Sequence, residues 1–298
     1  MFKNLILYRL AQRCTADLAE LDQRLQAQRF LPGGASQEKS LGWVEPRGQA
    51  HGPLVESVAG QWIFRLKLES RTVPAAVVQR EADARAAQIE ASTGRRPGRK
   101  ELRDIKDDVR MQLLPQAFAK ESRLRIWLDP QTRWLVLDVS SQTLADEAMA
   151  LLLQALPDVA PALIHTQTSP ATAMAEWLTS QEPPAGFSID RECELKAADE
   201  SKAVVRYARH RLDIDEVQQH IREGKMPTRL ALTWDDRVSF VLTEGLQIKK
   251  LTFLDGVFED GSRPKSDDFD ADVALSTGEL QRLLPDLLAA LGGEQASA

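Results

Sequence analysis

Arginines packed into a turn hold anions, and this chain has such a turn: Arg95, Arg96, Arg99 and Lys100 stand together, spaced by Pro97 and Gly98. Clustered like charge repels itself unless something opposite is bound, so the stretch reads as a polyanion contact or as a solvated hinge between two helices. It runs on as a charged helix to the apolar group Leu113, Leu114, Pro115 and Phe118, which suits a partner contact. A second basic group lies in KAVVRYARHRLD. Strand alternation puts Lys202, Val204, Arg206 and Ala208 on one face and Val205, Tyr207 and Arg209 on the other, with His210 and Arg211 in the loop beyond. Arg206, Arg209, His210 and Arg211 therefore crowd one strand end, either as ion-pair partners of nearby acids or as phosphate contacts.

Catalytic chemistry lacks its parts. There is no glycine-rich phosphate loop ending in GKS or GKT, no GxSxG elbow and no HExxH, and His51, His165, His210 and His220 are scattered. Cys14 and Cys193 lie far apart without a CxxC, which argues against a disulfide framework and a zinc site and suits a reducing cytoplasm. Both read as buried apolar residues. The oxygen ligands of Asp255, Glu259, Asp260, Asp267, Asp268, Asp270 and Asp272 suit Mg²⁺, which would make the chain a DNA-processing enzyme. The same run also reads as a solvated acidic loop. No catalytic residue, resident metal or cofactor is assigned.

The 298 residues are 43% hydrophobic and 28% charged, the composition of an ordinary globular protein with room for one large or two modest domains. A net charge of -6 makes the average surface repel nucleic acid, so any DNA contact must come from segregated patches. The opening MFKNLILYRL is broken by Lys3, Asn4, Tyr8 and Arg9 and does not read as a signal peptide. The apolar stretch 144–164 carries Asp146, Glu147, Asp158, Pro157 and Pro161 and cannot cross a bilayer as one helix. The expectation is a cytoplasmic protein with no membrane partner.

The elements that must position these residues follow from periodicity. Residues 4–10 read as a buried strand and 15–30 as an amphipathic helix capped by Thr15. FLPGGASQEKSLGWVEPRG reads as a punctuated loop with Trp43 in its middle, followed by extended segments at 54–58 and 61–69. Helices over 74–92 and 99–112 form a hairpin with the arginines at its bend. Their narrow stripes, Val77, Val78 and Ile89 against Leu102, Ile105, Val109 and Leu113, bury one helix on the other and predict a projecting arm. A β-hairpin at 123–129 and 133–139 precedes a helix at 143–156, and Ser169-Pro170 starts another. Pro183-Pro184 marks a linker.

Strands are then expected at 187–196, 202–209, 228–234, 237–243, 247–254 and 271–275. A helix is expected over 213–223, ended by Gly224, and a final one opens at Ser276 and stops at Gly292-Gly293. The fold class is α+β: antiparallel sheets with covering helices and a protruding helical-hairpin arm. Its parts are an N-terminal body of 1–73 and 123–182, an arm of 74–122 and a C-terminal body of 183–298.

FKNLILYRL, GGASQEKSLGWVEPRG, LLPQAF and FDADVALSTGELQRLLPDLLAALGGE, in that order and in nearly continuous register, resemble the recombination-associated protein RdgC family of bacteria. The resemblance implies a homodimer closed into a ring by one contact between helical tips and another between bases. It also implies binding of double-stranded DNA without sequence preference, with single-stranded DNA as a further ligand, restraint of a RecA-type recombinase, and a place on the nucleoid. On this likeness the basic tip position falls on Arg95, the apolar tip contact on Phe118 with Leu114 beside it, and the basic inner wall on Arg206 and Arg209. A scaffold that binds only protein, with its arginines paired internally, is a third reading of the residues.

Overall fold

Strand β1 (Leu5–Leu10) is apolar on both faces, and each face finds a different core. Leu5 and Leu7 join a cluster that includes Trp127, Trp177, Leu230 and Leu283; Ile6, Tyr8 and Leu10 join another with Trp43, Phe64, Ile126 and Leu152. A strand buried on both sides must lie inside a sheet with a layer on either face. The computed structural model, which describes residues 1–257 and 268–295, places it there.

The first half of the chain runs α1 (Leu18–Gln26), β2 (Lys39–Val44), β3 (Val55–Val58), β4 (Gln61–Arg71), α2 (Ala75–Thr93), α3 (Arg99–Leu113), β5 (Ala119–Asp129), β6 (Trp134–Asp138), α4 (Gln142–Ala155), β7 (Pro161–Leu163) and α5 (Pro170–Ser180). The second half runs β8 (Phe187–Ala197), β9 (Val204–Ala208), α6 (Asp215–Arg222), β10 (Lys225–Trp234), β11 (Val238–Thr243), β12 (Ile248–Phe253) and α7 (Phe269–Ala290). The strands form one antiparallel sheet in the order β2-β4-β5-β6-β1-β12-β11-β10-β8-β9, with β3 on β4 and β7 on β1. The fold is α+β, as expected, with the halves meeting at β1 and β12, where Leu5 faces Ile248. Helices α1 and α4 supply Leu21, Leu25, Ala148 and Leu152 to one core; α5, α6 and α7 supply Met174, Val217 and Leu284 to the other.

Four local expectations are corrected. Helix α1 starts at Leu18, because the carboxylate of Asp17, not Thr15, accepts the N–H groups of Ala19 and Glu20 at 2.9 and 3.0 Å. Trp43 is not in a loop: it lies in β2, fully buried and 5.9 Å from the Phe64 ring. Helix α6 starts at Asp215, because the Arg211 guanidinium donates to Asp213 at 2.9 Å and draws it away from the helix start. Residues 271–275 form no strand; they are the first turns of α7, capped by Asp268, which accepts from the Ala271 N–H at 3.0 Å. Ser276 and Thr277 fit inside that helix because their hydroxyls donate back to the carbonyls of Asp272 and Val273. Gly224 does take the expected left-handed conformation, at φ 91°.

Both cysteines are buried, and burial, with the Glu194 charge adding, pushes the Cys193 thiol up to about 12. The helical pair α2–α3 has its own small cluster of Val78, Ala82 and Val109, with Ile105 and Leu113 against it, separate from the two main cores.

Strand β2 tests how tightly the sheet edge is built. A Cβ on Gly42 would stand 2.5 Å from Phe30 Cα, and that backbone is fixed by the Phe30 N–H donating to the Trp43 carbonyl at 2.8 Å. Gly42→Ala is therefore expected to lower the unfolding free energy by about 1–3 kcal/mol. Gly34→Ala, with nothing within 4 Å of the new methyl, should change it by less than about 0.5 kcal/mol. Urea unfolding of both variants reads the difference.

Candidate nucleic-acid interface

The bend between α2 and α3 is built to hold its arginines outward. Gly94 ends α2 at φ 71°, donating its N–H to the Glu90 carbonyl at 2.8 Å, and Pro97 is buried. Gly98 precedes α3, and the Glu101 carboxylate reaches back to accept its N–H at 3.3 Å. The same carboxylate takes Arg95 at 3.1 Å, so among the described residues Arg95 is the one cation of the bend with an acid beside it. Arg96, Arg99 and Lys100 are exposed and have no carboxylate within ion-pair distance among the described residues. The Arg95 guanidinium is itself 70% exposed, so its pair is a weak restraint.

Phe118 does not share the bend. It follows the far end of α3, a 15-residue helix about 22 Å long. Phe118 is 96% exposed, the most exposed large apolar side chain among the described residues, with Met111 at 65% near the same end. Leu114 is buried there, so a partner contact at this end would rest on Phe118 and Met111.

The second cluster occupies the sheet edge at β9. Tyr207 is buried and Val205 half-buried, while Val204, Arg206 and Ala208 face out, as alternation requires. Arg209 departs from that alternation: its φ of 57° breaks the strand, and it lines an outer groove with Asp190, Arg191, Ser239 and Lys250. His210 donates from Nδ1 to the Arg211 carbonyl, 2.7 Å away, and Arg211 pairs with Asp213. Lys202 precedes β9 and is not part of it.

Cross-strand register adds residues that sequence reasoning missed. Glu194 of β8 stands between Arg206 of β9 and Arg229 of β10. Its carboxylate is 2.6 Å from Arg206 and 4.0 Å from Arg229 and accepts the Thr228 hydroxyl at 2.8 Å. One acid thus serves two arginines, leaving a net positive row. Burial alone would raise Glu194, but hydrogen bonds from Thr228 and Arg206 and the charges of Arg229 and Arg206 hold it below the usual carboxylate range. Arg191 of β8 and Lys250 of β12, the latter paired with Glu192 at 2.5 Å, line the groove with Arg209, and only the folded register brings them together.

The acidic run divides. Glu259, Asp260 and Asp267 lie outside the described residues. Asp268 caps α7, Asp270 bonds Arg47 at 2.6 Å, and Asp272 bonds Arg125 and the N-terminal ammonium, each at 2.9 Å. Among the described residues no group of three or more His, Cys, Asp or Glu is arranged to hold a metal ion. No helix among them is long and apolar enough to cross a membrane.

The structure is thus an α+β fold with one large antiparallel sheet that carries exposed cations at a helical bend and at a sheet edge, with Asp268 in a helix cap and Asp270 and Asp272 in ion pairs. The chain belongs to the RdgC family. The family model described as "Putative exonuclease, RdgC" matches residues 1–294. The chain is 46% identical to the recombination-associated protein RdgC of Dechloromonas aromatica, over 100% of this chain and 99% of that protein. It is 43% identical to that of Cupriavidus pinatubonensis and 41% to that of Bordetella pertussis, each over 99% of both chains.

Because Glu194 is depressed in the folded chain, its contribution to stability is present above its unfolded value, about 4.3, and is lost as pH falls through the folded one. Wild type should exceed Glu194→Gln in stability at neutral pH, with the gap closing below about pH 4. Urea unfolding across pH measures it; a gap independent of pH would mean that the carboxylate charge contributes nothing.

Proposed function

We propose that this protein binds double-stranded DNA without regard to sequence, acts in homologous recombination and replication, and restrains a RecA-type recombinase by occupying the duplex. The observation that carries the reading is the set of exposed cations with no acidic ion-pair partner among the described residues, Arg96, Arg99, Lys100 and Arg209, on a chain whose net charge is -6. Such side chains displace the counterions condensed on DNA, which supplies affinity with little dependence on base identity. The relatives named recombination-associated support the process in which it acts. Single-stranded DNA, which offers the same phosphates, is a second ligand, and the nucleoid is the place of action.

The working form is a homodimer. Residues 1–73 with 123–182 and residues 183–298 form the body, and 74–122 is an arm. Two arms meet through the Phe118 ends and two bodies meet at their bases, closing a ring with Arg206 and Arg209 on its wall. Support comes from the independent cluster that holds α2 on α3 and from an aromatic ring left 96% exposed.

The family model's description names an exonuclease, and one incubation separates the two readings. Linear duplex held with purified protein and Mg²⁺ should be recovered at full length; progressive loss of nucleotides from its ends would establish the enzyme. In the same protein, log affinity should fall linearly with log salt, at about -0.9 per phosphate contacted, for any duplex sequence. Arg206→Ala with Arg209→Ala should flatten that slope by about one unit for each phosphate no longer held, while lowering the melting temperature only slightly, through loss of the exposed Arg206–Glu194 pair. Glu194→Gln should steepen it, by releasing two arginines.

Phe118→Ser should leave the isolated chain as stable as wild type, because the ring covers nothing in its own molecule. Its effect should appear as faster escape from closed circular DNA as salt rises, with the dimer still present by light scattering. Equal retention of both proteins on circles would remove Phe118 from the closure.

A further inference from the structure

The sheet face that carries Ile63 and Trp127 into the first core continues beyond them as a ladder of cations. Strands β4 and β5 place Arg65 opposite Arg125 and Lys67 opposite Arg123, and alternation keeps all four on that face. Like charges directly opposite across an antiparallel pair destabilise it, so compensating anions are expected. They are half supplied. Arg125 pairs with Asp272 at 2.9 Å and Lys67 with Glu121 at 2.7 Å, and nearby Arg47 is taken by Glu56 and Asp270.

Arg65 and Arg123 have no carboxylate within ion-pair distance among the described residues, although Arg65 is half-buried. Burial and the charges of Arg125 and Arg123 push Arg65 down to about 10, which still leaves it a cation at neutral pH. A half-buried guanidinium beside two others is an electrostatic deficit that a bound anion would relieve. The ladder stops where Glu69 faces Glu121.

We infer that Arg65 and Arg123, flanked by Lys67 and Arg125, form a phosphate-binding strip that takes nucleic-acid backbone away from the bend and the β9 edge. This rests on the DNA-binding reading and extends it to a face of the sheet that neither basic cluster occupies. Successive rungs are about 7 Å apart along the strands, comparable to the spacing of neighbouring phosphates on one DNA strand. Arg206 points from the opposite face, but seven strand steps separate β5 from β9. At about 20–25° of twist per step the sheet turns through roughly 150°, which brings the two faces toward a common side.

The test uses the full chain with Arg65→Gln and Arg123→Gln together, and Arg123→Gln alone at the exposed position in case the pair fails to fold. The salt dependence of duplex binding should flatten by about one unit for each phosphate no longer held, up to two, while the melting temperature holds or rises as like-charge repulsion is relieved. Inorganic pyrophosphate, added without DNA, should raise the melting temperature of wild type more than that of the variants. If wild type retained no DNA at low salt yet showed this arginine-dependent pyrophosphate shift, the strip would stand and the DNA reading would fall. An unchanged salt slope with equal pyrophosphate shifts overturns the strip, whatever wild type does with DNA.

Discussion

The burial of β1 on both faces is the constraint on which the rest of the molecule depends. It makes five register pairs with β6 along one edge, and along the other it pairs with β7 at three residues and meets β12 at Leu5, so it joins the two halves of the sheet. The residues around it are clamped as well. Asp138 accepts the N–H groups of Lys3 and Asn4 at 3.0 and 2.8 Å, and the N-terminal ammonium reaches Asp272 on α7. Arg9 stacks 3.8 Å from the Trp134 ring centroid and pairs with Glu294 at 2.8 Å, tying the chain's last described segment to its first strand. The opening residues thus hold both halves, and with them the relation between the helical pair α2–α3, which follows β4, and the cations on β9.

A chain with an excess of acid exposes basic surface by committing its carboxylates elsewhere. Glu279 is buried between Arg237, at 2.6 Å, and Arg282. Asp129 is buried too: burial would raise it, but hydrogen bonds from Thr132, Gln281 and Gln131 hold it low. Asp270 and Asp272 face Arg47 and Arg125, and Glu194 is shared by two arginines. What is left over at the bend, the β9 edge and the β4–β5 face is an excess of positive charge. Net charge therefore says little about this protein's ligands, because the deciding quantity is which charges are spent inside the fold.

Much of this was legible in the sequence where local chemistry decides. The bend is an example: Pro97, Gly98 and the arginines between two stripes mark helix ends that the structure places within a residue or so. Ser169-Pro170 does start a helix and Gly224 does follow one. Strand β2 was hidden because its six residues sit between glycine- and proline-rich punctuation and only pairing with β4 makes them a strand. Over five residues at 271–275, a period of two cannot be told from the 3.6 that α7 uses. Charge clusters split along the same line. Arg95 to Lys100 are neighbours in sequence, whereas Arg65 beside Arg125, or Glu194 between Arg206 and Arg229, exists only through register between distant strands.

The central claim is that the exposed arginines of the bend and the β9 edge meet DNA phosphate, and arginine-selective modification read by mass spectrometry, with and without saturating duplex, tests it residue by residue. The account predicts that DNA shields Arg96, Arg99, Arg206 and Arg209 while Arg24 and Arg222, exposed on helices elsewhere, stay equally reactive. Shielding that is absent, or uniform over all exposed arginines, would contradict it.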